Sequence, residues 1–220
     1  MCGLQNIGCT KRDIRNYERD LREEMKGIDV ESLIELFTLE EEKNHGFYFD
    51  FDKDNEDRLV RCFWADSYSR RAYNFFGDVV VFDTTYNTNR YGMIFAPLTG
   101  VNHHGQTIIF GCGFLSDETI ESFVWLFNHW MNAMPKGAPQ MIITDQDPAM
   151  TRAIAQVFPN TFHRYCIWHI LNKFSEKIDA IIYRDSYHLL KGIILNSKTI
   201  EEFETNWMNT LQTTKLEDNA

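Results

Sequence analysis

Two aspartates stand where strands should end. Asp83 closes the apolar run Val79-Val80-Val81-Phe82, and Asp145 follows Met141-Ile142-Ile143-Thr144. Such runs read as strands, and in an open α/β sheet ligand groups gather at the carboxyl ends of strands. Two carboxylates brought to one place repel each other unless a cation neutralises them. The pair therefore reads as a Mg²⁺ or Mn²⁺ site, able to activate water and to stabilise a phosphoryl transition state. The competing reading is that each Asp merely closes a turn. Asp147 precedes Pro148, as an N-cap residue does, which leaves Asp145 free for a metal.

A softer set follows. Cys166 and His169 lie three apart on a predicted helix, hence on one face, and their S and N atoms suit Zn²⁺. Structural zinc takes four ligands, and His163 is the only suitable neighbour, so a buried thiol beside a hydrogen-bonded histidine is the equal alternative. His103 and His104 fall in a predicted turn, facing solvent. Trp64, Trp125, Trp130 and Trp168 read as core or helix-interface residues, and the acidic stretch from Asp50 to Asp57 as a solvated loop.

The elements that position these groups are legible from spacing. Ile14, Tyr17, Leu21 and Met25 form one helical stripe and, after Gly27, Val30, Leu33, Ile34 and Phe37 form another, predicting a helical hairpin. Phe47 to Phe51 and Leu59 to Trp64 predict a β-hairpin, and Ser67 to Phe76 a short helix ending at Gly77. Val79 to Phe82 predicts a central strand covered on both faces. Met93 to Val101 and Thr107 to Leu115 extend it into a three-stranded antiparallel meander. Phe123, Leu126, Phe127, Trp130 and Met134 mark a helix, with Ser116, Asp117 and Glu118 as its cap and first-turn acids. A strand at Met141 to Ile143, a helix through Met150, Ile154 and Val157, a strand at Thr161 to Tyr165 and a helix from Ile167 to Ile178 complete the pattern. This α/β order, β-β-β-α-β-α-β-α, is that of the ribonuclease H-like fold. It predicts one sheet of about five strands between Asp78 and Ile178, with helices on both faces.

Composition bounds the partners. The chain has 220 residues, 44% hydrophobic, which suffices for a sizeable core. Its 22 basic and 32 acidic residues give a net charge of −10, which argues against gripping duplex DNA by bulk electrostatics. Five scattered cysteines predict reduced thiols. No apolar run of about 18 residues predicts a membrane span, and the charged N-terminus offers no export signal, so synthesis in the cytosol is expected.

Five blocks go further: Phe63-Trp64-Ala65-Asp66, Phe82-Asp83-Thr84-Thr85-Tyr86, Gly100-Val101-Asn102-His103-His104-Gly105-Gln106, Ile143-Thr144-Asp145-Gln146-Asp147 and Cys166-Ile167-Trp168-His169. Together they resemble the plant far-red impaired response family, derived from Mutator-like (MULE) transposases. The resemblance implies three parts: an N-terminal helical and β-hairpin region over 1–77, a ribonuclease H-like transposase core over 78–178, and the start of a truncated helical insertion over 179–220. It maps the first two acids of an Asp, Asp and Glu catalytic set onto Asp83 and Asp145. The third belongs to an Arg-Ser-Glu-Ser-Met-Asn-like block that does not occur before Ala220. The resemblance therefore implies an incomplete catalytic set and a nuclear regulator of transcription in light signalling that works without catalysis. Its partners would be homo- or heterodimers within the family. DNA would be reached only indirectly, or through the N-terminal zinc finger that full-length members carry beside a C-terminal SWIM zinc finger. Two alternatives remain. One is a metal-dependent DNA transposase or nuclease, with Glu201, Glu202 or Glu204 as third acid. The other is a truncated remnant without a role of its own.

Overall fold

The computed structural model of the protein describes residues 29–86, 89, 91–214 and 216, so the stripe predicted over Ile14 to Met25 lies outside the described residues. Helix α1 (Asp29–Lys43) is followed by strands β1 (Tyr48–Lys53) and β2 (Leu59–Ala65), helix α2 (Ser67–Phe76), and strands β3 (Val79–Phe82), β4 (Ile94–Val101) and β5 (Thr107–Leu115). Helix α3 (Ile120–Ala133), strand β6 (Met141–Thr144), helix α4 (Pro148–Val157) and strand β7 (Phe162–Tyr165) precede three helices, α5 (Ile167–Lys177), α6 (Ala180–Asn196) and α7 (Ile200–Thr214). None of these helices is long and apolar enough to cross a membrane.

The strands form one mixed sheet of seven in the order β1-β2-β5-β4-β3-β6-β7. The predicted meander is present, with β4 antiparallel to both β3 and β5, and β6 and β7 add in parallel to β3. The five strands expected between Asp78 and Ile178 are present as β3 to β7, and the sheet reaches seven because the β1-β2 hairpin does not stand apart. Arg61 to Trp64 pair with Leu115 to Cys112, so β2 continues the sheet beyond β5.

One face of this sheet carries the main core. Phe63, Phe82, Leu98, Phe110, Leu115 and Ile142 are buried there with Tyr73 of α2, Phe123, Leu126, Phe127 and Trp130 of α3, and Met150 and Ile154 of α4. Side chains alternate along a strand, so Trp64 points to the opposite face from Phe63. There Phe37 of α1 lies 5.4 Å from the Trp64 ring and 5.6 Å from each of Phe47 and Phe49. Strand β3 is central but is not covered on both faces. Val80 and Phe82 are fully buried, whereas Val79 on the other side is 42% exposed.

The C-terminal helices make their own small core. Leu171, Leu190, Ile193, Leu211 and Leu216 are buried, yet none belongs to the main cluster. Tyr183 of α6 donates to the Leu171 carbonyl of α5 at 3.0 Å, and Phe203 stacks on Trp207 within α7.

Candidate functional site

The parallel pairing of β3 with β6 sets the geometry. Val81 is the register partner of Ile143, so Asp83 and Asp145 stand side by side two residues past that rung. Neighbouring strands lie about 4.8 Å apart. Burial raises the Asp83 carboxyl above the ordinary aspartate range. His169 opposes the rise, and the negative charges of Asp145 and Glu118 add to it. The His169 Nε2 atom stands 3.7 Å from Asp83 Oδ2, and its Nδ1 atom is buried with no hydrogen-bond partner.

Local chemistry holds the second aspartate. The Asp147 side chain accepts from the Met150 N–H at 2.6 Å and caps α4, whose first residue is Pro148. Asp145 is less free than its sequence position suggests, because its Oδ1 accepts the Asp147 N–H at 3.2 Å. The Thr144 hydroxyl donates to the Asp145 carbonyl at 2.7 Å and lies 2.8 Å from His163 Nε2. Burial, and then the charge of Arg164, lower the His163 pKa.

A third carboxylate appears where sequence reasoning put a helix acid. The N-cap of α3 is Thr119, whose hydroxyl accepts the Ser122 N–H at 3.2 Å, and the first-turn acid is Glu121. Glu118 therefore lies outside the helix and reaches back to the loop after β3. There it accepts the Thr84 hydroxyl at 2.6 Å and the Tyr86 hydroxyl. The bond to Glu118 is the largest of the influences that push the Tyr86 hydroxyl up to about 12. No sequence signal separated the candidates, since Ser116, Asp117 and Thr119 are all competent N-cap residues.

The softer pair is arranged differently from its predicted helical face. Cys166 is the N-cap of α5, outside the helix, with its thiol making no capping bond and its N–H donating to the Thr144 carbonyl at 2.6 Å. His169 turns instead toward Asp83. Trp168, expected in a core or helix interface, is 62% exposed, while Trp130 is fully buried. Among the described residues no three His, Cys, Asp or Glu side chains are placed to hold a metal ion together.

A mixed sheet with two aspartates at adjacent parallel strand ends defines a class, and the comparison with family models names it: residues 79–173 match the MULE transposase domain. That match runs from the first residue of β3 into α5 and includes both aspartates. Three relatives from Arabidopsis thaliana extend the similarity. Protein FAR1-RELATED SEQUENCE 5 is 38% identical over 221 residues, covering 98% of this chain and 28% of the relative. Protein FAR-RED IMPAIRED RESPONSE 1 is 38% identical over 192 residues, 86% of this chain and 23% of the relative. Protein FAR1-RELATED SEQUENCE 7 is 36% identical over 219 residues, 99% of this chain and 28% of the relative. The chain belongs to the far-red impaired response family of MULE-domain proteins. It spans about a quarter of the length of these relatives.

Proposed function

We propose that this protein is a transposase-derived nuclear regulator of transcription that keeps a ribonuclease H-like core as a scaffold and acts without catalysis. The family supports the regulatory reading, and the name of the far-red impaired response relative supports a place in light signalling. The order of strands and helices, with a meander extended by parallel strands, supports the core. Its partners are family members as homo- or heterodimers, and its route to DNA is through zinc-binding parts of such longer proteins.

The observation that carries the non-catalytic reading is the occupancy of the acids. Asp83 faces His169, Asp145 holds the Asp147 N–H, and Glu118 is tied to Thr84 and Tyr86. The oxygen donors of Asp83 and Asp145 suit Mg²⁺ or Mn²⁺, which would supply charge neutralisation and Lewis acidity there. With His169 beside Asp83 and Glu118 held by the Thr84 and Tyr86 hydroxyls, such an ion is held weakly. Structural zinc takes four donors, and among the described residues no third His, Cys, Asp or Glu is placed to join Cys166 and His169 in holding one.

The rival reading is a metal-dependent DNA transposase or nuclease, and the observation in its favour is Glu118, a third carboxylate within electrostatic reach of Asp83. Incubating supercoiled plasmid with the chain and Mn²⁺ separates the two. No nicking above a metal-only control is the expected result. Nicking abolished by both Asp83→Asn and Asp145→Asn would establish the rival.

A further inference from the structure

Helix α2 turns one face to the core and the other to a cavity. Ser69, Ala72 and Tyr73 are buried on the first. Ser67, Arg70, Arg71 and Asn74, spaced within one or two turns of each other, share the second. They line a cavity of about 640 Å³ that is bounded by Asn44 and Gly46 of the turn before β1 and by Pro135 after α3. Of the described residues that line it, none belongs to the carboxylate site and none is an Asp or a Glu.

Two guanidinium groups set this cavity apart. Up to Lys136, the other described basic side chains each meet a carboxylate: Lys43 meets Glu40, Lys53 meets Asp57, Arg58 meets Asp54, Arg61 meets Asp52 and Lys136 meets Asp78. Arg70 instead donates from Nε to the Ala133 carbonyl at 2.6 Å and from Nη1 to the Gly46 carbonyl at 2.8 Å. Those bonds fix its place, yet among the described residues they leave its charge without a carboxylate and its Nη2 without a partner. Arg71 is exposed and makes no hydrogen bond or ion pair among the described residues. The Ser67 hydroxyl accepts from Asn44 Nδ2 at 2.9 Å, so its own proton is free to donate. Asn74 adds an amide that is equally unengaged among the described residues.

In a chain of net charge −10, this cavity thus gathers donors and positive charge with no acid in its lining. A guanidinium fork matches the oxygens of a phosphate, and two cations balance a phosphate monoester, which carries close to two negative charges at neutral pH. Duplex DNA would bring many phosphates into the field of an acidic chain, which disfavours it here. Phe75, 73% exposed, and Pro135 give the cavity an apolar wall. We infer that this cavity binds a phosphate monoester on an apolar or aromatic carrier, with the phosphate held by Arg70, Arg71, Asn74 and Ser67 and the carrier packed on Phe75 and Pro135. The site goes beyond the regulatory reading, and a catalytically active chain would carry it equally.

Titrating the whole chain with phenyl phosphate, followed by calorimetry and by amide NMR shifts, tests the site. Saturable binding is expected, with the largest shifts between Ser67 and Phe75 and a loss of affinity of about tenfold or more in Arg71→Ala. Since Arg71 holds nothing in the fold, that variant should melt with the parent, which separates lost binding from lost folding. Inorganic phosphate should bind about tenfold more weakly for want of a carrier, and equal affinity would overturn the carrier. A phosphotyrosine pentapeptide that binds as tightly as phenyl phosphate would place the phosphate on a protein side chain, and one that fails to compete would place it on a small molecule. No saturable binding, undiminished binding by Arg71→Ala, equal binding of phenol, or displacement of phenyl phosphate by a short DNA duplex would each overturn the site.

Discussion

Asp83 sits at the meeting point of opposing influences, and its titration reports them. Because burial raises its pKa in the fold, the folded chain takes up that proton more readily than the unfolded one. The group therefore favours folding at acid pH, and this contribution is lost as pH rises through the raised pKa. Asp83→Asn removes the cost of the charge, so the variant should melt above the parent near pH 7, with the gap shrinking toward about pH 4. The carboxylate is half exposed, so the gain stays below about 1 kcal/mol. Thermal melts of both proteins across that range check the sign, and an unchanged or inverted gap refutes it. At this scale the sequence was informative about Asp83, Asp145 and Asp147, since each is fixed by neighbours in the chain. It was silent on His169 meeting Asp83 and Glu118 meeting Tyr86, because those contacts join residues that only the tertiary fold brings together.

Strand β5 shows how an element is shaped by what packs on it. A Cβ on Gly113 would stand 2.5 Å from Leu126 Cδ1 of α3 and 3.0 Å from the Cys62 carbonyl of β2, so this glycine lets helix and neighbouring strand approach together. Gly113→Ala should cost about 1 to 3 kcal/mol as an overpacked core does, measured by urea unfolding, whereas the same change at a loosely packed strand site would be nearly neutral. A second element depends on one carboxylate. Asp147→Ala removes the cap of α4 and should cost about 1 kcal/mol, with Asp147→Asn recovering most of it. Most element boundaries were readable from hydrophobic period and cap chemistry: α2 starts at Ser67 and ends at Phe76 before Gly77, as spacing predicted. The cap of α3 was misplaced because Ser116, Asp117 and Thr119 are all competent cap residues, and the Asp117 bonds to Thr119 and Ser122 that settle the choice are visible only in space.

Across the whole molecule stability is divided. Helices α6 and α7 bury Leu190, Ile193 and Leu211 among themselves, outside the cluster that holds the sheet to α3. Amides of α6 and α7 should therefore exchange at least about tenfold faster than those of α3, and equal protection would show that the two cores open as one. That the β1-β2 hairpin joins the main sheet could not be read from sequence, since strand pairing across about 50 residues leaves no local pattern. The same long-range pairing governs when the carboxylates can meet. The hairpins β1-β2 and β4-β5 close over short loops, but β3 finds its parallel neighbour β6 only after α3 has spanned the sheet, some 60 positions along the chain. A ribosome that has not yet released Met141 to Asp145 holds a nascent chain in which β3 is a bare border and Asp83 has no carboxylate beside it. The order of synthesis thus places the assembly of this site after the closing of both hairpins, and a pause in translation within α3 would lengthen the interval during which that border is open to mispairing.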